Sequence, residues 1–154
     1  MFSDITIRPF EPADQTVAKN LILAGLAEHL GELDLSKNPD LNDIASTYVN
    51  GVFLVAQAGD EIVGTGALIP YSDGVAEIVR MSVSIKMRRM HIGTLILRHL
   101  ITYAQNKGCW KIVLETTEDW RDAIEFYLNN NFCITHYSDG NVYFVLDFVG
   151  KENI

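Results

Sequence analysis

The sequence predicts a mixed α/β (α+β) fold, a central mixed twisted sheet of about seven strands flanked by about four helices. Three observations carry that expectation. Apolar runs of strand length alternate with runs of helical period along the chain. Turn signals, Gly59-Asp60, Asp73-Gly74 and Asp139-Gly140-Asn141, join neighbouring strand-like runs as hairpins. One helical run is unambiguous: Ile92, Leu95, Ile96, Leu100 and Tyr103 share one face, and Lys107-Gly108 ends it.

The elements follow in order. Ile5 to Arg8 alternates like an edge strand, Pro9 and Pro12 interrupt it, and Asp14 is placed to cap a helix from about Gln15 to His29. Leu30 to Asp40, with Gly31, Asn38 and Pro39, reads as a loop, and Leu41 to Val49 as a short helix. Val52 to Ala56, Glu61 to Ile69 and Val75 to Val83 read as three successive strands. After the Ile92 helix come a buried strand at Lys111 to Thr116 and a helix from Asp119 to about Asn130. Two last strands follow, Phe132 to Tyr137 and Val142 to Phe148. No repeat, linker or low-complexity tract divides residues 1–154, which read as a single domain.

Composition narrows the function. A hydrophobic fraction of 48% is that of a globular protein. No apolar run is long enough to span a bilayer, and the first residues lack a signal-peptide pattern. The net charge of −8 argues against nucleic-acid binding and is compatible with a cationic substrate. Cys109 and Cys133 have neither metal-type spacing nor an activating neighbour. They read as reduced, buried small hydrophobes of a cytoplasmic protein, with no metal site and no membrane partner expected.

The richest segment is Arg88-Arg89-Met90-His91-Ile92-Gly93-Thr94, between the strand ending at Val83 and the helix starting at Ile92. The first N–H groups of a helix have no intrahelical partner and carry partial positive charge, so that end accepts an anion. Two arginines add charged donors. Gly93 is not followed by Lys-Ser or Lys-Thr, so a nucleotide phosphate loop is a poor reading.

These residues resemble the GNAT superfamily of N-acetyltransferases. Its Q/R-x-x-G-x-G/A signature reads here as Arg88 to Gly93. Ile5 to Asp14 is similar to the family's opening strand and helix, and Ala76 to Val83 to its central strand. Ala123 to Phe132 is similar to its late A-x-x-F-Y-x-x-x-G-F segment. Three positions differ. His91 stands at the usual first motif Gly, Trp120 where many members have an Asn on the cofactor arm, and Asn131 at the usual Gly before Phe132.

The resemblance implies acetyl-CoA as acyl-donor cosubstrate and direct attack by a primary amine, small-molecule or peptide, in a ternary complex. It implies that Arg88, Arg89, Met90, His91, Ile92, Gly93 and Thr94 hold the pyrophosphate. Met81, Ser82 and Val83 would pair through their main chain with the pantetheine arm, where the central strand splays from the next one. A backbone N–H near Met81 or Ser82 would serve as oxyanion donor. Tyr127 would be the general acid, with Ala123 leaving room beside it.

Glu77 and Glu115 are the candidate general bases. By strand alternation Glu77 shares a face with Val79, Met81 and Val83 and is slightly preferred, acting through water. The alternative for each is an ion pair, Glu77 with Arg80 or Lys111; His29 and His136 are unsupported substitutes. By the same resemblance Ala27 to Tyr48 would wall the acceptor side, and its Glu28, Glu32, Asp34, Asp40 and Asp43 would make an acidic rim suited to a cationic amine. A non-catalytic acyl-CoA sensor or interaction domain of the same fold is the alternative that His91 and Trp120 would favour. The apolar strand from Val142 to Phe148 is a candidate for pairing across a homodimer.

Overall fold

The computed structural model describes residues 4–31 and 37–148. Seven strands form one sheet: β1 (Ile5–Pro9), β2 (Val52–Ala58), β3 (Glu61–Ser72), β4 (Val75–Val83), β5 (Lys111–Thr117), β6 (Cys133–Ser138) and β7 (Asn141–Asp147), in the order β1-β2-β3-β4-β5-β7-β6. Only β4 and β5 pair in parallel; the other neighbours are antiparallel. The helices are α1 (Gln15–Leu30), α2 (Ile44–Thr47), α3 (Ile92–Asn106) and α4 (Arg121–Asn129).

Alternation along the strands divides the core in two. Leu54, Leu68, Ala76, Ile78, Ile112 and Phe144 face Ile96, Leu100 and Tyr127 of α3 and α4. Phe53, Val55, Ala67 and Val79 face Ala18 and Ile22 of α1, with Leu41 and Ile44 beside them. α3 lies close on β3: a Cβ built on Gly66 would stand 2.5 Å from Ile96 Cγ2 and 2.7 Å from Met81 Sδ.

β4 changes face once. Thr65 pairs with Ser82 and Ala67 with Val79, so β4 carries one residue more than β3 over this stretch. Arg80 takes up the extra residue with φ 57°. Val79 therefore packs on the α1 side, while Met81 and Val83 pack on the α3 side. Simple alternation had placed Glu77, Val79, Met81 and Val83 together; the bulge separates the first two from the last two.

Other expectations are corrected by local contacts. Asp14 stands at the α1 N-cap position but makes no side-chain cap to α1. Its carboxylate instead receives both guanidinium ends of Arg8, at 2.8 and 3.0 Å, and the Glu11 N–H. The short helix after the loop shrinks to α2, preceded by a 3-10 turn, Pro39–Asn42. Asp119 does not cap α4, whose N-cap is Trp120. Cys133 is exposed, because it precedes Ile134 at the start of an edge strand and points off the core. β7 is flanked by β5 and β6, so its backbone edges are taken and it cannot pair across a dimer.

Candidate functional site

The site begins where the sheet comes apart. β4 and β5 pair at Val75↔Lys111, Ala76↔Ile112 and Glu77↔Val113, and no further. From Ile78 to Val83 the β5-side edge of β4 has no strand against it, and β5 runs on to Thr117 paired only with β7. Main-chain groups along such an edge need partners, which an extended ligand with amide groups supplies. Met81, Ser82 and Val83 lie on this edge. Thr65 Oγ1 donates to the Arg80 carbonyl at 2.7 Å, closing one of the bulge's own groups.

Beyond Val83 the chain makes a 3-10 turn, Ile85–Met87, and reaches the start of α3. The N–H groups from Arg89 to Thr94 have no hydrogen-bond partner among the described residues. Arg89 and His91 both lie in the left-handed region, at φ 66° and 63°. Left-handed residues before a helix start turn consecutive N–H groups toward one side, which makes an anion cradle. His91 adopts the backbone conformation a glycine would take here, so its replacement of the motif Gly keeps the turn. Gly93 has a different role. A Cβ on it would stand 3.3 Å from Phe126 Cε1, so its smallness lets α3 and α4 close up. Asn131, at φ 74°, likewise holds the left-handed turn before Phe132.

The two arginines part company. Arg88 donates from Nη1 to Glu28 of α1 and from Nε to the Val83 carbonyl at 3.3 Å. Arg89 is exposed and has no side-chain partner among the described residues. Of the two, Arg89 is the one with a free charge beside the cradle.

Tyr127 lies in the core on the α3 side, against Phe126, Phe132 and Phe144 at ring distances of 5.1–5.6 Å. The hydroxyl makes no hydrogen bond among the described residues and, unlike the ring, is not sealed from solvent; burial of the side chain raises its pKa well above that of an ordinary phenol. A phenol in that setting holds its proton firmly and has it available to donate. Ala123, one turn earlier, is half-buried against the same core.

Glu77 and Glu115 occupy the opposite face. Ala76 and Ile78, Ile112 and Leu114 point to α3, so Glu77 and Glu115 between and beyond them point to the α1 side. Burial, and then the charge of Glu115, raise the Glu77 carboxyl above its usual range. Glu115 is exposed and stands opposite Tyr143 in the β5–β7 ladder, and it raises that phenol above its ordinary value; the Tyr143 ring stacks on His136 at 4.4 Å. The expected pairings of Glu77 do not form: Arg80 turns to Asp40, and Lys111 sits over the Trp110 ring at 4.9 Å. The candidate acid and bases thus lie on two sides of the opening between β4 and β5.

A family profile described as "Acetyltransferase (GNAT) family" matches residues 23–132. This chain belongs to the GNAT acetyltransferase family. Its relatives include N-acetyltransferase 8F1 of Rattus norvegicus, 32% identical over 60% of this chain and 45% of that protein. Probable N-acetyltransferase 14 of Xenopus tropicalis is 35% identical over 68% of this chain and 52% of its own length. The chain therefore spans about half the length of the curated relatives it matches. Among solved structures, a GNAT-family acetyltransferase from Staphylococcus aureus Mu50 superposes with a TM-score of 0.87 at 24% identity, covering 94% and 99% of the two chains. PaiA N-acetyltransferase from Thermoplasma acidophilum, solved with coenzyme A, gives 0.83 at 15% identity, covering 94% and 99%. These last two likenesses establish the GNAT fold.

The acidic rim expected of this GNAT domain is largely engaged internally. Glu28 pairs with Arg88, Asp40 with Arg80, and Asp43 accepts from the Ser46 N–H at 3.2 Å. Glu32 and Asp34 lie outside the described residues. One grouping that matters here escaped the sequence reading. Arg80, Asp40 and Tyr48 form a half-buried cluster, with Asp40 taking bonds from both partners. Burial pushes the Asp40 carboxyl up, but Arg80 and Tyr48 together hold it below its usual value. Burial and the bond to Asp40 push Tyr48 up to about 12. No local motif announces a contact between a loop and a strand 40 positions away; only the odd arginine in an apolar strand hinted at it. Among the described residues, no group of side chains could hold a metal ion, and no helix is long and apolar enough to cross a membrane.

Proposed function

We propose that this GNAT domain transfers an acetyl group from acetyl-CoA to a primary amine, in a ternary complex with direct attack. The observation that carries the reading is the join between an unpaired strand edge and an anion cradle: the free edge of β4 from Ile78 to Val83 runs directly into the unpartnered N–H groups of Arg89 to Thr94. One face of the ligand must be extended and amide-bearing, and its end anionic. Acetyl-CoA has that form, and when bound it supplies the acyl group as a thioester. No other part of the described chain combines these features.

The residues take the following roles. The Arg89 to Thr94 N–H groups hold the pyrophosphate, with Arg89 adding charge. The edge at Met81, Ser82 and Val83 orients the pantetheine, and an N–H near Met81 or Ser82 stabilises charge developing on the acyl oxygen. Tyr127 holds the proton given to the departing sulfur. Glu77 accepts the amine's proton, through water, and its raised pKa suits that task at neutral pH. Glu115 adds negative charge on the same face, so an amine that is cationic in solution is drawn to this side. That charge now rests on Glu77 and Glu115 more than on the rim.

The test combines two measurements on the whole chain. Calorimetric titration with acetyl-CoA must show binding, and thiol release must rise when primary amines, small molecules and peptides, are added. Binding with no thiol release across a broad panel would favour a sensor of the same fold.

A further inference from the structure

The last turn of α1 reaches both arms of the opening between β4 and β5. Glu28 pairs with Arg88, on the turn that follows β4. The next residue, His29, reaches the end of β5. Its Nε2 lies 3.1 Å from Thr117 Oγ1 and 3.5 Å from Asp119 Oδ1. Its ring lies flat on Trp120, with centroids 4.0 Å apart and planes 13° from parallel.

The two attachments are unequal. α1 packs along its length on β3 and β4, and Gly25 sits so close to Ser82 that a Cβ there would be 3.1 Å from its hydroxyl. On the other arm the end of α1 is held by the His29 ring. The His29 side chain is only 15% exposed, whereas Asp119 is 81% exposed. An exposed ion pair contributes little, so the stack on Trp120 and the bond to Thr117 are the substance of the contact.

This contact stands where the sheet supplies no spacing of its own. Past Glu77↔Val113 no ladder fixes the distance between β4 and β5. Two diverging strands without cross-bonds keep a set separation only if a third element is fixed to both. On the face opposite α3, α1 is that element, and its fixed point on the β5 side is the flat contact of two rings at the start of α4.

We propose that His29, stacked on Trp120, is a positioning residue that sets the gap between β4 and β5 and so the affinity for CoA. This rests on the donor reading above. His29 acts through the strand ends and takes no part in proton transfer. Trp120, which stands where many family members have an Asn on the cofactor arm, serves the ligand through α1.

The experiment is calorimetric titration of the whole chain with CoA alone, so that no acceptor is needed, together with the Tm of each variant. Wild type is compared with His29→Ala, His29→Leu, which fills the space without a flat ring, and His29→Phe, which keeps the ring over Trp120. The expected result is CoA affinity about tenfold lower for the alanine and leucine variants, and recovery to within about threefold of wild type for phenylalanine. Should alanine fail to fold, the leucine and phenylalanine pair still decides. Leucine binding as wild type does, or phenylalanine binding as weakly as leucine, would overturn the proposal while leaving the donor reading intact. Wild type that does not bind CoA overturns both.

Discussion

Arg80 and Asp40 form a two-point ion pair, at 2.6 and 3.0 Å, at the residue where β4 changes face. The arginine sits in the left-handed region, which costs an L-residue about 1–2 kcal/mol. The pair offsets that strain. It also places Met81 and Val83 on the α3 side, with their main chain on the open edge. Asp40→Ala leaves a half-buried guanidinium without its carboxylate, and the expected loss is about 2 kcal/mol in urea unfolding at neutral pH. The same pair has an acid signature. Asp40 is held below its usual value, so its stabilisation is present above the unfolded-state pKa near 4. It disappears as pH falls through the lower folded-state value. The stability difference between wild type and Asp40→Ala should therefore shrink with acidification below about pH 4; a difference that stays constant would mean the pair is not its source.

Tyr127→Phe removes one oxygen from a site where that oxygen has no partner among the described residues. The fold should tolerate the change, with Tm close to wild type. Turnover should fall about 100-fold, the scale of a lost proton donor, while acetyl-CoA affinity stays nearly unchanged. Burial raises the phenol's pKa, so its ionisation should not limit turnover on the alkaline side up to about pH 10. Undiminished turnover in the phenylalanine variant would remove Tyr127 from the mechanism.

The sheet was legible because hairpin turns and strand alternation are local signals, and all seven strands lie where the pattern put them, within a few residues at their ends. α3 was legible for the same reason. The errors share a cause. A one-residue bulge at Arg80 cannot be read from alternation, and it reversed the faces of Met81 and Val83 relative to Glu77. Asp14 and Asp40 carry cap and loop residue types, but strand arginines, Arg8 six residues before the one and Arg80 forty residues after the other, claimed their carboxylates. The anion cradle was legible as a place; its geometry was not, since the left-handed residues are Arg89 and His91, and Gly93 is small for the sake of Phe126.

That distinction is testable at two neighbouring positions. His91→Gly relieves a left-handed backbone and should raise stability by about 0.5 kcal/mol, the strain relief less the added chain entropy of glycine. CoA affinity should stay within about threefold, because main-chain N–H groups form the cradle. Gly93→Val puts methyl groups into the Phe126 contact and should cost about 2 kcal/mol. A large loss of CoA affinity in His91→Gly would show instead that the imidazole is a donor to the ligand.

The two carboxylates on the α1 side separate by pH. Glu77 must be ionised to accept a proton, so turnover rises as pH passes its pKa. Burial first, and Glu115 second, push that pKa up. Glu115→Gln removes the second cause and leaves the first. The acid limb of the kcat profile should therefore shift to lower pH in Glu115→Gln without reaching the position of an ordinary glutamate. Glu77→Gln should lower kcat/KM about 100-fold and abolish that limb. Both effects are read from pH profiles with one amine acceptor. If Glu115→Gln abolishes the limb and Glu77→Gln only shifts it, the roles are exchanged: the exposed carboxylate is the base, and the buried one tunes it.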